Sequence, residues 1–156
     1  MPKKSAGILL YRKINNHFEF FLVHPGGPFF KNKDLGVWSI PKGEYLDDEE
    51  ALTAAKREFQ EETGQLVDGD FIALEPVTLK SGKIVHAWAL EGDIDPATIT
   101  SNLFEMEWPP KSGRIQSFPE IDRASWYDAD EARLKINAAQ AELIDYFLTN
   151  KTDNSY

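Results

Sequence analysis

One helix stands out in this sequence, within the stretch PKGEYLDDEEALTAAKREFQEETGQL. Asp47 is placed to cap its N-terminus, and Glu50 at the third helical position would complete a capping pair. Gly64 supplies the left-handed residue with which many helices end. These signals predict a helix from Asp48 to Thr63. Any fold of this chain must therefore be built around one well-marked helix.

The glutamates of this helix lie together on one side. At about 100° per residue, Glu58, Glu61 and Glu62 share an arc of about 100°, beside the apolar face marked by Ala55 and Phe59. Glu58 and Glu62 are one turn apart, and like charges at that spacing oppose a helix by roughly 0.2–0.5 kcal/mol. A divalent cation would offset the repulsion, and Mg²⁺ prefers carboxylate oxygens and bridges them to phosphates. From helix geometry alone, a metal site and an ordinary acidic surface are both open.

Length and composition restrict the class of protein. The 156 residues fit one domain, and 42% hydrophobic with 28% charged residues is typical of a packed globular fold. The absence of cysteine excludes disulfides, thiolate metal ligands and cysteine nucleophiles. A net charge of -9 argues against a nucleic-acid partner. It still allows a small phosphorylated ligand, because divalent cations can bridge carboxylates and phosphates.

The sequence predicts neither membrane association nor export. No apolar run is long enough to span a bilayer, and Ile8–Leu10 is too short for the core of a signal peptide. A cytoplasmic location is therefore expected. Nothing in the sequence indicates an oligomeric state.

Runs of β-branched and aromatic residues predict strands on both sides of the helix. The predicted strands are Ser5–Arg12 and Phe18–His24, which form a hairpin, then Val37–Ile40, Phe71–Leu79, Ile84–Glu91 and Ala124–Tyr127. The Gly- and Pro-rich segments predict two long loops, at Pro25–Gly36 and at Ser101–Arg123, the second around at most one short strand.

Two helices are expected near the C-terminus. Asp128 is placed to cap a short one, and Asn137 with Gln140 resembles a capping pair for a second helix that ends near Leu148. Residues 1–149 should form the single domain and residues 150–156 a flexible tail. Strands before and after a central helix, followed by helices, favour a mixed sheet between helical layers.

The central segment resembles the motif of the Nudix hydrolases. That motif runs Gly, five residues, Glu, seven residues, Arg-Glu, an apolar residue, any residue, Glu-Glu, any residue, Gly and a bulky aliphatic. The matching residues here are Gly43, Glu49, Arg57, Glu58, Phe59, Glu61, Glu62 and Gly64. The one departure is Gln65 in the aliphatic position, and Leu66 is expected to take over its packing role. The resemblance implies an α/β/α sandwich around a mixed sheet.

The resemblance also implies roles for individual residues. Glu58, Glu61 and Glu62 would be ligands of Mg²⁺, for which Mn²⁺ can substitute, and Glu58 is also a candidate base. Gly43 would offer its backbone carbonyl to a metal. Arg57, which belongs to the catalytic group, and Glu49 would be orienting or structural rather than reactive. For Arg57, the alternative is a plain ion pair with Glu61, four residues further along the helix.

A second base is expected from a loop, where Glu105, Glu107 and Glu120 are the choices. Glu120 is favoured because its separation from Trp126 resembles a spacing in the dinucleoside tetraphosphate branch of the family. A solvated loop carboxylate is the alternative.

Several residues are candidates for binding the substrate. Lys42, next to Gly43, can bind a phosphate as a point charge. Lys111 and Arg114, with Lys31 and Lys33, could hold distal phosphates. The aromatic candidates for stacking on a base are Tyr45, Phe29, Phe30 and Trp108, whereas Trp38 and Trp126 are expected in the core and His24 and His86 as ordinary hydrogen-bonded histidines.

The PKGE sequence, the long Gly/Pro loop and the Glu120 spacing resemble the diadenosine polyphosphate hydrolases. This implies Mg²⁺-dependent hydrolysis, by a metal-activated water, of a phosphoanhydride bond in a nucleoside diphosphate-linked or dinucleoside polyphosphate substrate. Cleavage of diadenosine tetraphosphate to ATP and AMP is the specific expectation. A non-catalytic nucleotide-binding module of the same fold is the alternative. An isoprenoid diphosphate isomerase is disfavoured, because that chemistry calls for a cysteine.

Overall fold

The computed structural model of the chain describes residues 3–153. The strands are β1 (Lys4–Ile14), β2 (His17–Pro25), β3 (Lys42–Tyr45), β4 (Ile72–Ala73), β5 (Val77–Thr78), β6 (Ile84–Glu91), β7 (Leu103–Glu107), β8 (Ile115–Pro119) and β9 (Ile121–Asp128). The α-helices are α1 (Ala51–Thr63), α2 (Ala129–Lys135) and α3 (Ala141–Asp153), and short 3₁₀ turns lie at Pro96–Thr98 and Ala138–Gln140.

A mixed sheet forms the centre of the molecule. Within residues 3–153 it has seven strands, in the order β4-β6-β1-β2-β9, with β3 paired to β1 and β5 paired to β6. Strands β1 and β6 are parallel, whereas β1 with β2 and β2 with β9 are antiparallel. Strands β7 and β8 form a separate two-stranded sheet. The predicted mixed sheet is confirmed.

Helices cover both faces of this sheet. Successive residues of β1 point to opposite faces: Ile8 packs in the core that contains Phe59 of α1, and Leu9 packs in the core that contains Phe147 of α3. Each core buries large apolar side chains almost completely. The α/β/α sandwich is therefore confirmed. Among residues 3–153, no helix combines the length and the apolar character needed to cross a bilayer.

The first hairpin forms as predicted, and its turn is shorter than the gap between the two predicted strands. Ile14 pairs with His17, so that Asn15 and Asn16 alone make the turn, with φ values of 51° and 67°. Two successive left-handed residues match the right-handed twist of the flanking strands, and Asn tolerates this conformation better than most residues.

The start of α1 differs from the prediction, and its end agrees. The helix begins at Ala51 with Glu50 as its N-cap. Asp47 lies outside the helix, because its carboxylate pairs with Lys4 at 2.5 Å beside the β1–β3 pairing. Gly64 ends the helix in the left-handed conformation, with φ 76°.

Leu66 does not replace an aliphatic residue at position 65. Its side chain is 80% exposed, because the chain turns outward after Gly64. The buried residue at this end of the helix is Thr63, whose hydroxyl donates to the Phe59 carbonyl and accepts from the Gln65 backbone N–H.

The second predicted loop was wrong, because Ser101–Arg123 contains the whole β7–β8 hairpin and the first residues of β9. Two other predicted strands also differ from the observed ones. Phe71–Leu79 holds the two short strands β4 and β5, and Val37–Ile40 makes single bridges in place of a strand, between Ser39 and Val23 and between Trp38 and Ile136.

The last helix is longer than predicted. It continues beyond Leu148 to Asp153, so the first part of the predicted tail is helical, and residues 154–156 of that tail lie outside the described residues. Asn137 caps the 3₁₀ turn before this helix by accepting from the Ala139 N–H. The Gln140 side chain does not complete the predicted capping pair with Asn137, because its oxygen accepts from the Ile40 N–H.

Candidate active site

The glutamate face of α1 lies against strand β3. Glu58 is 91% buried there, and Gly43 is directly opposite it. A methyl group on Gly43 would overlap the Glu58 carboxylate, so glycine is required for this close approach. One residue earlier, the Lys42 backbone N–H donates to Glu62 Oε1 at 3.2 Å. The backbone of β3 and the two carboxylates of α1 therefore form one compact group.

Burial disfavours the charged forms of these carboxylates. It raises the pKa of Glu62 to about 8. Burial also raises the pKa of Glu58 above its ordinary value, with the Glu61 charge adding to it and Arg57 opposing it. Burial also lowers the pKa of the Lys42 ammonium. Crowded carboxylate oxygens are a donor set that suits a small divalent cation such as Mg²⁺ or Mn²⁺.

Arg57 makes more contacts than a single ion pair. Its Nε and Nη2 donate to the two oxygens of Glu49, both at 2.9 Å. Its Nη1 donates to Glu58 Oε1 at 2.8 Å and to Glu61 Oε2 at 3.0 Å. The pair with Glu61 exists, but it is one part of a network in which Glu49 fixes the guanidinium and the guanidinium orients two glutamates.

Arg57 also affects how a metal would enter. Among residues 3–153, no three acidic or histidine side chains already converge on one point as metal ligands. Glu58 and Glu61 each give an oxygen to Arg57. Metal binding would therefore use the oxygens of Glu58 and Glu61 that do not contact Arg57.

Glu120 is joined to the same end of α1 by backbone hydrogen bonds. Its N–H donates to the Asn102 carbonyl at 2.8 Å, and the Asn102 N–H donates to the Glu61 carbonyl at 2.9 Å. The Gly26 N–H donates to the Glu120 carbonyl at 2.8 Å. Burial raises the pKa of Glu120, and the nearby Glu61 charge raises it further. The fold thus brings Glu120 beside the glutamates of α1.

The other two loop glutamates lie elsewhere. Glu107 accepts from the backbone N–H groups of Lys111 and Gly113 at the tip of the β7–β8 hairpin. Glu105 is exposed in the middle of β7, opposite Ser117.

The predicted substrate-binding residues are dispersed. Lys42 lies beside Glu58 and Glu62. Tyr45 is partly buried and packs against His86, with Lys4 Nζ 5.2 Å from its ring centre. Lys111 and Arg114 lie at the hairpin tip, beyond strands of five residues, which span about 17 Å. The structure therefore does not bring Lys111 and Arg114 to the glutamates.

The remaining aromatic and histidine predictions mostly agree with the structure. Trp38 is buried, and Trp126 is partly buried with its indole N–H donating to the Ile94 carbonyl. His24 is fully buried and its two ring nitrogens bond to Asp122 and to the Lys33 carbonyl. His86 is half-buried against Tyr45.

No sequence pattern predicts the anchoring role of residues 100–102. The Thr100 N–H donates to the Thr63 carbonyl, as the Asn102 N–H does to Glu61, so both satisfy carbonyls at the C-terminal end of α1. These bonds use backbone atoms, which carry no residue signature.

A family model and several solved structures resemble this chain. A family model described as the NUDIX domain matches residues 1–147. The chain belongs to the Nudix family. The enzyme class predicted from the motif, a Nudix pyrophosphohydrolase, is confirmed with it, and Nudix hydrolases generally use divalent metal ions. No curated protein sequence matches the chain.

Solved Nudix structures share the fold at low identity. A C. elegans Ap4A hydrolase in a binary complex is 23% identical, over 97% of this chain and 98% of that one, with a TM-score of 0.65. The NUDIX domain of Shewanella oneidensis NrtR, complexed with ADP ribose, is 13% identical over 96% and 88%, also with a TM-score of 0.65. A mutT/nudix family protein from Listeria innocua is 19% identical over 99% and 97%, with a TM-score of 0.63.

Proposed function

We propose that this Nudix enzyme hydrolyses a phosphoanhydride bond of a dinucleoside polyphosphate, with diadenosine tetraphosphate cleaved to ATP and AMP as the specific reaction. Glu58, Glu61 and Glu62 would hold Mg²⁺, or Mn²⁺ in its place, together with the Gly43 carbonyl. The observation that carries the proposal is the packing of the Glu58 carboxylate on Gly43, with Glu120 tied through Asn102 to Glu61.

The residues of this site suit in-line attack of water on a phosphorus atom. A bound Mg²⁺ would neutralise charge on the phosphoryl oxygens and lower the pKa of water. Glu120 would accept the proton of the attacking water, since its raised pKa lies closer to neutrality than that of a free carboxyl. Arg57 would hold Glu58 and Glu61 in orientation without touching the substrate.

The nature of the substrate is supported by two observations. The likeness to a C. elegans Ap4A hydrolase spans nearly the whole of both chains. Lys111 and Arg114 lie at the hairpin tip, beyond strands of five residues that span about 17 Å, where a long substrate would reach them. Lys42, next to Gly43, would meet the phosphates nearest the metals.

A second candidate function is a nucleotide-binding module without turnover, with ADP-ribose as its ligand. The likeness to the NrtR NUDIX domain complexed with ADP ribose favours it. The complete set of motif glutamates favours hydrolysis, because a pure binding module has no need for Glu58, Glu61 and Glu62 together.

The test is to incubate the purified protein with nucleoside triphosphates, diadenosine tetraphosphate, ADP-ribose and inositol pyrophosphates, each with Mg²⁺, Mn²⁺ or EDTA. The expected result is metal-dependent release of ATP and AMP from diadenosine tetraphosphate. Glu62→Gln should abolish this release, and Glu75→Gln, at an exposed position, is the matched control. Binding of ADP-ribose without cleavage of any compound would favour the second candidate.

A further inference from the structure

The β7–β8 hairpin, residues 103–119, is firmly attached to the proposed metal site. The residues on either side of it, Asn102 and Glu120, bond to each other, and Asn102 also bonds to Glu61 of α1. Ser101 adds a third tie, since its hydroxyl accepts from the Ile121 N–H at 2.9 Å. These hydrogen bonds join the base of the hairpin to the C-terminal end of α1.

The tip of the hairpin is also held together by hydrogen bonds. The Glu107 carboxylate accepts from the Lys111 and Gly113 N–H groups at 2.9 and 3.2 Å. The Trp108 N–H donates to the Arg114 carbonyl at 2.9 Å, and the Gln116 side chain donates to the Trp108 carbonyl. Trp108 is therefore held at a defined distance from the glutamates.

Loop 26–36 runs outward beside the hairpin. It starts at Gly26, whose N–H donates to the Glu120 carbonyl. The next residue, Gly27, lies against the Phe104 ring of β7. Further out, the rings of Phe29 and Trp108 meet edge to face, with their centres 5.3 Å apart. The loop and the hairpin thus form one wall from Glu120 to this aromatic pair.

The aromatic pair leaves apolar surface uncovered. Phe29 remains 58% exposed despite its contact with Trp108, and the neighbouring Phe30 is 36% exposed. Lys33 Nζ lies 5.6 Å from the ring centre of Phe30. An exposed aromatic face beside a positive side chain is a surface on which a nucleobase stacks, and removal of such a ring typically costs roughly 5- to 150-fold in binding.

The distance decides which base this pair can reach. Five residues of strand place Trp108 about 17 Å from Glu120. The nucleoside joined to the cleaved phosphate stays close to the glutamates, so the aromatic pair is left for a group at the far end of the phosphate chain.

We propose that Phe29 and Trp108 form the binding site for the second, distal nucleobase of a dinucleoside polyphosphate, and so select substrates that carry a base at both ends. This inference rests on the proposed function and adds the residues that determine specificity. It also explains why Lys111 and Arg114 lie so far from the metal site: they would flank the distal part of the phosphate chain.

The test compares AMP release from diadenosine tetraphosphate with AMP release from adenosine 5′-tetraphosphate. Both have four phosphates, but when AMP leaves the second compound no base remains at the distal end. The wild type should prefer the dinucleotide in kcat/KM. Trp108→Ala should reduce that preference about tenfold or more, mainly through KM, and Trp108→Phe should retain most of it.

Leu103→Ala is the matched control, because Leu103 is an exposed apolar residue of the same hairpin, far from its tip. It should leave the preference unchanged. An unchanged preference in Trp108→Ala, with the wild type active on both compounds, would overturn the inference and leave the proposed function standing. Failure of the wild type to cleave either compound would refute both.

Discussion

Replacing Glu62 with Gln should stabilise the metal-free protein. Burial raises the pKa of the Glu62 carboxyl from 4.5 to about 8, so the folded protein binds a proton more tightly than the unfolded chain. A raised acid pKa contributes stability that is complete below the unfolded pKa and is lost as the pH rises through the folded pKa. The metal-free wild type should therefore lose stability between about pH 4.5 and about pH 8.

The size of the effect follows from the same shift. At pH 7, the difference between that pH and the unfolded pKa corresponds to an upper limit of about 3 kcal/mol. Glu62 is partly exposed, so solvent screening should reduce the gain to roughly 1–2 kcal/mol. For a protein of this size that gain raises the Tm by about 2–8 °C. Gln keeps the oxygen that accepts from the Lys42 N–H, so only the charge is removed.

The assay is thermal unfolding of the wild type and Glu62→Gln in EDTA, from pH 5 to pH 8, with Glu75→Gln as the control. The Tm difference should be small at pH 5 and grow towards pH 8. Saturating Mg²⁺ should reverse the order, because a ligand at about 100 times its Kd adds about 2.7 kcal/mol to the wild type and much less to the variant.

One result would refute this reasoning. If Glu62→Gln lowers the Tm in EDTA at every pH, the carboxylate stabilises the metal-free fold. The Glu62 charge would then not be a destabilising feature that a bound cation neutralises.

Three further predictions concern neighbouring residues. Gly43→Ala should abolish turnover, because the added methyl overlaps the Glu58 carboxylate; normal kcat would show that the close approach is dispensable. Arg57→Lys should weaken Mg²⁺ binding by roughly 10- to 100-fold, since lysine cannot hold both oxygens of Glu49; metal titration by calorimetry measures it, and unchanged affinity contradicts it. Glu120→Gln should lower kcat by about 10²- to 10⁴-fold with little change in metal affinity. An equal loss of kcat and of metal affinity would indicate that Glu120 is a metal ligand and not the base.

Local patterns were enough for the elements whose signals lie close together in the sequence. The first hairpin follows from two apolar runs around Asn15 and Asn16, which tolerate a left-handed turn. The end of α1 follows from Gly64, because glycine adopts the left-handed conformation without strain. The motif predicted the family, and helix geometry placed Glu58 and Glu62 beside the buried face.

Distant contacts decided the rest. Asp47 is a residue type that commonly caps helices, but its carboxylate forms an ion pair with Lys4 of β1 and lies outside the helix. The alternating residues of β7 gave only a weak strand signal, and this hairpin packs through Phe104 on Gly27, nearly eighty positions earlier. Such contacts depend on how strands pair across the sheet, which short-range periodicity does not encode.

The same division applies to the candidate site. The spacing of the glutamates along one helix determined which carboxylates share a face, because 3.6 residues complete each turn. Only the tertiary structure brought Gly43 under Glu58 and Glu120 next to Glu61, and only it moved Lys111 and Arg114 to the far end of the hairpin. A helix fixes directions by local geometry, whereas the meeting of a helix, a strand and a loop depends on the packing of the whole sheet.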